Sequence, residues 1–275
     1  MMKYISPGSW FSLEYPLGWH EFEDAEDSFL FYNPDKWSGN FRISAFRGEH
    51  AGYASECIDY ELKHTAGAGL VQVGNWKCAF SKEDFQEEGT EYTSYLWVTG
   101  KGAISIECSF TVEKGGACKV AEEMLATLQV RDVNEKPWKA IIPLRVLEIN
   151  EINEAYEWAV ATIKKQTTKA FSSQESDLVN LQRVIDSGKF NKDQRTTWES
   201  FGIVFGTILV NEMDGMNWVT VVDGSKEIPA LRFADSQLVY YPTDIVWNCI
   251  RRNEQCNLTA IFGQIKEEVE KVLAE

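Results

Sequence analysis

Four aspartates in the second half of the chain are the first candidates for chemistry, because each lies in a predicted connection between two elements. They are Asp214, Asp223, Asp235 and Asp244. If these connections converge, the carboxylates could hold a hard cation or serve as general acid and base in a metal-assisted hydrolase. Aspartate is also a common turn residue, so the simpler interpretation is that all four only shape bends.

Nucleophilic catalysis or a zinc site would need histidines or clustered cysteines, and the chain offers few of them. Its histidines are His20, His50 and His64, so none follows residue 64. The six cysteines include no C-x-x-C pair, the usual core of a zinc set; they are Cys57, Cys78, Cys108, Cys118, Cys249 and Cys256. We therefore predict reduced, mostly buried thiols, as in a cytoplasmic protein.

Two glycine-rich segments contain a lysine and could suggest phosphate binding. They are Gly100-Lys101-Gly102 and Lys114-Gly115-Gly116. Neither has the G-x-x-x-x-G-K-[ST] spacing that cradles phosphate, so both are interpreted as turns. The sequence thus assigns no catalytic residue, no metal ligand and no cofactor-binding residue, and it predicts a protein that is not an enzyme.

The net charge of −15 limits the partners that the protein can have. Residues 1–131 carry 11 basic and 20 acidic side chains (11 − 20 = −9), and residues 132–275 carry 16 and 22 (16 − 22 = −6). This balance argues against nucleic acid and against an anionic membrane surface. The simplest role for the charge is to keep the protein soluble, and a more specific role is to attract a basic protein partner.

The sequence shows neither a secretory signal nor a membrane-spanning segment, and we therefore expect a cytoplasmic location. The N-terminal residues contain no apolar segment of the kind that follows the first basic residue of a secretory signal. The longest apolar run, residues 201–210, is ten residues long, about half of what a membrane-spanning helix needs. Neither the oligomeric state nor the identity of a partner follows from these features.

Hydrophobic periodicity predicts an α+β fold in residues 1–131. Alternating segments predict four successive strands at 10–15, 19–22, 29–32 and 41–46, forming an antiparallel meander. A helix with apolar positions at Ala54, Ile58 and Leu62 follows. Further strands are predicted at 69–80, 90–99 and 102–111, and then an amphipathic helix at 117–128. We expect the helices to cover an antiparallel sheet.

The second half is predicted to be a helical domain with a small antiparallel sheet. Residues 132–143, rich in turn formers, are interpreted as a linker, and residues 144–275 as the domain. Helices are predicted at 149–163, 178–185, 198–210 and 258–272, and strands at 218–222, 228–233 and 238–241. Residues 242–249 suit either a short helix or a strand.

The helix around residues 201–210 is apolar nearly all round, which is typical of a helix inside a core. Gly202 and Gly206 lie four residues apart, on one of its faces. Each glycine destabilises a helix by about 1 kcal/mol relative to alanine. The compensation that we expect is the close approach of a neighbouring backbone.

The first half resembles the PsbP-like family. The resemblance covers about residues 5–131 and depends on Tyr15-Pro16-Leu17-Gly18-Trp19 at the end of a strand, followed by short strands, a helix, a long hairpin and a final helix. It implies a binding or accessory module that acts through protein contacts. The family pattern includes no catalytic residues, so none is transferred to this chain.

Residues 175–273 resemble a bacterial family of domains of unknown function. The residues that carry this likeness are Trp198, Phe201-Gly202-Ile203, Phe205-Gly206, Trp218, Tyr241-Pro242, Ile245 and Phe262. The resemblance adds no activity. Together the two halves look like an uncharacterised two-domain bacterial protein.

Three functions remain open from the sequence. The preferred one is a non-catalytic protein-interaction module with an acidic surface, of which an immunity or inhibitor protein is one form. The alternatives are a small-ligand binding protein with a cleft between its domains and a metal-assisted hydrolase that uses the loop aspartates. Tryptophans at 10, 19, 37, 76 and 97 are predicted to fill the core, whereas an exposed aromatic patch would mark a partner surface.

Overall fold

The computed structural model describes residues 1–25, 28–132, 134–224 and 226–274, and within them the chain forms fourteen strands and seven α-helices. The strands are β1 (Met2–Ile5), β2 (Phe11–Tyr15), β3 (His20–Ala25), β4 (Ser28–Tyr32), β5 (Asn40–Arg47), β6 (Gly69–Val73), β7 (Trp76–Glu87), β8 (Thr90–Lys101), β9 (Ile104–Glu113), β10 (Gln129–Val130), β11 (Lys139–Pro143), β12 (Met216–Asp223), β13 (Lys226–Phe233) and β14 (Val239–Tyr240). The helices are α1 (Tyr53–His64), α2 (Lys119–Ala126), α3 (Val146–Thr167), α4 (Leu178–Ile185), α5 (Arg195–Glu212), α6 (Pro242–Arg252) and α7 (Leu258–Leu273).

The α+β architecture predicted from the sequence is confirmed, and the chain divides into two compact units. The first unit contains Met1–Val146 and Val222–Glu227, and the second contains Leu147–Val221 and Ile228–Glu275. The tip of the β12–β13 hairpin therefore belongs to the first unit. The segment predicted as a linker, residues 132–143, contains β11.

A seven-stranded sheet dominates the first unit, in the order β3-β4-β5-β9-β8-β7-β6, with antiparallel pairing throughout. Successive side chains of a strand point to opposite faces. Along β9, Ile106, Cys108 and Phe110 are fully buried on one face, whereas Glu107 points to the other. Helix α1 packs on this second face, over β7, β8 and β9.

The core of the first unit lies on the opposite face of the sheet. A small antiparallel sheet, in the order β1-β2-β10, and helix α2 contribute to it. Tyr4, Phe11 and Leu13 from the small sheet and Met124 from α2 pack in the same apolar cluster as Trp97. The expected arrangement of helices on an antiparallel sheet is therefore present, with a second sheet added to it.

The predicted meander of four strands is wrong for its first strand. β2 does not continue into the large sheet; it pairs with β1 and β10. Only β3, β4 and β5 form a meander. The partners of β2 are four and two residues long, so neither carries enough periodicity to be recognised from the sequence.

The single strand predicted over Gly69–Phe80 is also wrong, because a turn divides it. Gly74 has φ +56°, a conformation that favours glycine. Val73 and Trp76 pair across this turn and close the β6–β7 hairpin. Beyond it, β7 runs to Glu87, seven residues further than predicted (87 − 80 = 7).

Helix α5 lies at the centre of the second unit, as its apolar composition predicts. Ten of its residues are buried, including Phe201, Phe205 and Ile208, and α6 is its main packing partner. A Cβ atom on Gly202 would lie 2.5 Å from the carbonyl oxygen of Pro242. The predicted close approach of a neighbouring backbone is thus confirmed, and α6 provides it.

The segment that the sequence left open between helix and strand is α6. Pro242 stands at its first turn, where the fixed φ of proline suits a helix and no N–H is needed. The predicted hairpin is present as β12 and β13, and β14 pairs with β13. β11 extends the sheet to four strands, in the order β11-β12-β13-β14.

Candidate functional site

The four loop aspartates form no carboxylate site. Oδ1 of Asp223 lies 2.6 Å from Nζ of Lys139 in the first unit. In the second unit, Asp235 lies 3.6 Å from Arg232 and Asp244 lies 3.9 Å from Arg195. Across residues 1–25, 28–132, 134–224 and 226–274, no group of three or more His, Cys, Asp or Glu side chains could hold a metal ion. Asp214 and Asp235 lie in turns, as predicted, but the prediction is wrong for the other two, since Asp223 is the last residue of β12 and Asp244 lies in the first turn of α6. The dispersal of the four carboxylates favours local structural roles over the hydrolase.

The histidines and cysteines are also dispersed. Nε2 of His50 lies 3.4 Å from a Glu56 carboxylate oxygen, and the His64 ring stacks on Tyr60 with its centroid 4.1 Å away. Cys78, Cys108 and Cys256 are buried, while Cys57, Cys118 and Cys249 are half-buried, and all six are free thiols. Burial raises the pKa of the Cys108 thiol well above its usual range, which keeps that thiol protonated and unreactive.

The predicted turn at Gly100-Lys101 is wrong by two residues, because both residues are paired within the β8–β9 ladder and the turn consists of Gly102 and Ala103. Lys114-Gly115-Gly116 follows the end of β9, as predicted. Gly102 has φ +61° in the turn between β8 and β9, and Gly115 has φ +87° in the turn after β9. The carbonyl of Gly102 accepts a hydrogen bond from the N–H of Ala54, 3.2 Å away, at the start of α1. The β8–β9 turn therefore positions α1 on the sheet.

A groove of about 460 Å3 lies between α1 and the face of the sheet that α1 covers. We call it the α1 groove. Its lining includes three aromatic side chains and three carboxylates, together with Cys57: Phe46, Tyr53, Tyr60, Glu56, Glu61 and Glu107. The aromatic wall is accessible, since Tyr60 is 64% exposed and Phe46 is 46% exposed.

Helix and strand periodicity together produce this lining. On α1, Tyr53, Cys57 and Glu61 are spaced by four residues and therefore lie on one face. On the sheet, Val98 of β8 is paired with Glu107 of β9, and Phe46 of β5 is paired with Ser105 of the same strand β9. The strand residues whose side chains point away from the core therefore face α1.

Two of the three carboxylates that line the α1 groove, Glu61 and Glu107, interact with each other. Partial burial raises the pKa of Glu107, and the neighbouring negative charge of Glu61 raises it further. Glu61 accepts a hydrogen bond of 3.3 Å from the hydroxyl of Ser81. On the opposite wall, a hydrogen bond with Cys57 raises the pKa of Tyr53. The groove therefore favours a positive charge beside Glu107, where a cation would relieve the repulsion.

The chemistry that this arrangement supports is binding of a cation with an apolar stem. Carboxylates suit an ammonium or guanidinium group, and the faces of Tyr60 and Phe46 suit the stem or a cation–π contact. The sequence analysis did not identify the groove, because Glu107 stands in an alternating strand and alternation shows only that it belongs to the polar face of that strand. The available signal was the run of polar residues Ser105, Glu107 and Ser109 opposite an apolar helix stripe.

An exposed aromatic cluster lies elsewhere on the first unit. Among the tryptophans predicted to be core, Trp19 and Trp97 are buried, and Trp10 and Trp76 pack against the core. Trp37, in contrast, is 41% exposed. Its ring contacts Tyr92, which stacks on Phe85 across the β7–β8 hairpin.

Within the described ranges of the chain, none of the helices is both long and apolar enough to cross a membrane.

Comparison with known proteins identifies two family models. The domain of unknown function DUF3805 matches residues 1–153, and the domain of unknown function DUF3806 matches residues 177–262. A search of curated proteins found no match to the chain.

Among solved structures, a Bacteroides thetaiotaomicron protein is 49% identical over 97% of this chain and 98% of its own, with a TM-score of 0.92. The cyanobacterial PsbP of Synechocystis is 12% identical over 47% of this chain and 91% of its own, with a TM-score of 0.27. LpqN of Mycobacterium tuberculosis is 10% identical over 44% of this chain and 83% of its own, with a TM-score of 0.32. The last two values are too low to support an argument.

The match to residues 1–153 spans more than half of the chain, and the Bacteroides structure covers nearly all of it. The chain therefore belongs to the DUF3805 family of domains of unknown function, and its second half matches the DUF3806 family.

Proposed function

We propose that the protein is a non-catalytic interaction module and that its α1 groove receives a cationic side chain of a basic protein partner. One observation carries this proposal: Glu61 of α1 and Glu107 of β9 line the same aromatic groove. Partial burial, and then the charge of Glu61, raises the pKa of Glu107 there. A lysine or arginine side chain matches the groove in charge, in its apolar stem and in size.

The charge of the whole protein supports a basic partner. The net charge of −15 attracts cationic proteins and repels nucleic acid and anionic lipid surfaces. Long-range attraction acts mainly on the rate of association, which should therefore fall steeply as salt is added. An immunity or inhibitor role against a basic protein remains one form of this function.

Free thiols support a reducing compartment as the working location. All six cysteines are unpaired by disulfides, which are rare in reducing environments and common in oxidising ones. We therefore propose the cytoplasm. We also propose that residues 132–143 separate two domains and that the first of these domains binds the partner.

A small organic cation is the second candidate ligand for the same groove. The volume of the α1 groove, about 460 Å3, lies in the range of small-molecule sites, roughly 300–1,000 Å3. Such a ligand would need no polypeptide on either side of the cation. Binding by a protein segment, in contrast, should strengthen when residues flank the basic side chain.

The test compares three probes by isothermal titration calorimetry at low salt: N-acetyl-arginine amide, its neutral citrulline analogue, and a seven-residue peptide with one central arginine among serines and glycines. We expect binding of both arginine probes, tighter binding of the peptide, and none of the citrulline compound. Equal affinity of peptide and amide would favour the small cation. Absence of arginine binding would remove the proposal.

The site is assigned by matched substitutions. Glu61→Gln and Glu107→Gln remove one negative charge each from the α1 groove with little change in size, and each should weaken arginine binding about tenfold or less, as expected for a partly solvated ion pair. Glu14→Gln is the control, because Glu14 is an exposed residue of β2, outside the groove. Equal loss in all three variants would point to net charge alone.

A further inference from the structure

The side chains of the exposed aromatic cluster in the first unit are held in fixed positions by contacts with one another and by a hydrogen bond. Phe85 and Tyr92 are directly opposite each other on β7 and β8, with ring centroids 5.5 Å apart. Trp37 meets Tyr92 edge-on at 6.0 Å. Its indole N–H donates a 2.8 Å hydrogen bond to Oδ1 of Asn40, which fixes the ring although Trp37 is 41% exposed. We call these three residues the aromatic cluster.

The aromatic cluster and the α1 groove lie on the same face of the seven-stranded sheet. Tyr92 and Val98 are both on β8 and are separated by an even number of residues, so their side chains point the same way. On β9 the same holds for Glu113, which pairs with Tyr92, and for Glu107, which pairs with Val98. The two sites therefore share one surface, at different positions along the same two strands.

Carboxylates accompany the aromatic cluster on that face. Glu113 is opposite Tyr92, and Glu83 lies two residues from Phe85 on β7. The carboxylates that pair with Lys114, those of Asp84 and Glu91, alternate onto the other face. An aromatic surface beside carboxylates suits the planar guanidinium of arginine, which stacks on rings and pairs with carboxylates at once.

The separation of the two sites sets a length for the ligand. Six residue steps separate Tyr92 from Val98 on β8 (98 − 92 = 6). At about 3.4 Å per residue they span roughly 20 Å. An extended peptide covers the same length in about six residue steps, since it rises by a similar amount per residue.

We infer that the aromatic cluster is a second docking point for the same basic partner, so that an extended segment with two cationic side chains about six residues apart binds along β8 and β9. This inference rests on the proposed function of the α1 groove and specifies the partner's chemistry. Charge complementarity selects the occupant, because carboxylates lie at both ends of the surface. A second copy of this acidic chain does not fit that requirement.

The test uses fluorescein-labelled peptides with two arginines separated by two, four, six, eight or ten residue steps of serine and glycine, and anisotropy at low salt. Affinity should peak near a separation of six and exceed that of a single-arginine peptide by about tenfold, since the second contact is intramolecular. A flat dependence on separation, with single-arginine binding intact, would overturn this inference and leave the proposed function standing. Absence of all arginine binding would overturn both.

Two substitutions locate the second contact without disturbing the hairpin. Trp37→Ser leaves the Phe85–Tyr92 pair in place, and Glu113→Gln removes a charge at constant shape. Each should abolish the preference for a separation of six while leaving single-arginine affinity within about twofold. Glu107→Gln should instead weaken both kinds of peptide. If Trp37→Ser and Glu113→Gln both kept the affinity maximum at a separation of six residue steps, the assignment would be contradicted.

Discussion

Nη2 of Arg145 lies 2.6 Å from Oε2 of Glu227, so residues 82 apart in the sequence form a partly buried ion pair in the first unit. The Arg145 side chain is 3% exposed, and its Nη1 donates a hydrogen bond to the carbonyl of Ile5. The other carboxylate oxygen of Glu227 accepts a hydrogen bond from the N–H of Gly8. These contacts join the tip of the β12–β13 hairpin to the N-terminal strand region.

Removal of Arg145 should therefore destabilise the first unit strongly. Arg145→Ala removes the cation that pairs with the Glu227 carboxylate. Loss of one partner of a fully buried pair costs about 3–5 kcal/mol, and the cost for this partly buried pair should lie towards the lower end of that range. Urea unfolding followed by tryptophan fluorescence measures the change, and hydrogen exchange of the Gly8 amide reports it locally. Lys101→Ala is the control, because the Lys101–Glu135 pair is exposed to solvent and its loss should change stability far less. Equal effects in both variants would contradict this ranking.

The two glycines of α5 should resist replacement by alanine. A Cβ at Gly202 would lie 2.5 Å from the Pro242 carbonyl oxygen, and one at Gly206 would lie 2.6 Å from the Trp218 ring. Overpacking of this kind costs about 1–3 kcal/mol or more, which exceeds the gain in helix propensity. We expect Gly202→Ala to be the worse of the two, because backbone yields less readily than the half-buried Trp218 ring.

Gly263 is the matched control for these glycines. It lies inside α7, and no atom is within 4 Å of the position that its Cβ would occupy. Gly263→Ala should therefore stabilise the protein by about 0.8–1.0 kcal/mol through helix propensity alone. Thermal unfolding of the three variants provides the comparison, and a stabilised Gly202→Ala would show that α5 and α6 do not pack as described.

Glu107→Gln should stabilise the protein above the pKa of Glu107 while weakening cation binding. Burial and the charge of Glu61 raise the folded-state pKa of Glu107 above its ordinary value of 4.5. The folded state thus binds the proton more tightly, so the ionised carboxylate lowers stability as pH rises through the folded pKa. The gain from glutamine should be complete above that pKa and absent below 4.5.

The size of that gain is limited by solvent, because Glu107 is exposed to the groove. We expect less than about 1 kcal/mol. Melting temperatures of Glu107→Gln and the parent protein between pH 4 and pH 8 measure it. A stabilisation of Glu107→Gln that is greatest at acid pH would reverse the sign and refute the assignment.

Cys57 allows the potential of the α1 groove to be measured directly. In a Cys118→Ser, Cys249→Ser background it is the half-buried thiol that remains, and it lies beside Glu56 and Glu61. A cationic methanethiosulfonate should modify it roughly two- to fivefold faster than an anionic one at low salt, by Coulomb attraction. Mass spectrometry gives the rates. The ratio should approach one at high salt and fall in Glu61→Gln; a ratio below one would contradict an anionic groove.

The amino-acid sequence by itself determined the local structure of this protein. Apolar residues on every side of α5 identify a core helix, and its paired glycines identify a close neighbour, because both patterns depend only on helical geometry. The β12–β13 hairpin and the α+β composition follow from alternation and turn residues in the same way. The strands β1, β10 and β11 were not predicted, and without β1 and β10 the pairing of β2 could not be predicted either.

Only the tertiary structure decided which distant residues meet. Glu61 belongs to a helix face and Glu107 to the polar side of a strand, and neither pattern contains information about the other. The same is true of Arg145 and Glu227, and of Tyr92 and Trp37. Periodicity indicates which face of a helix or strand is buried. The packing of helices and sheets that are distant in the sequence determines which side chains contact each other. The groove and the aromatic cluster arise from that second step.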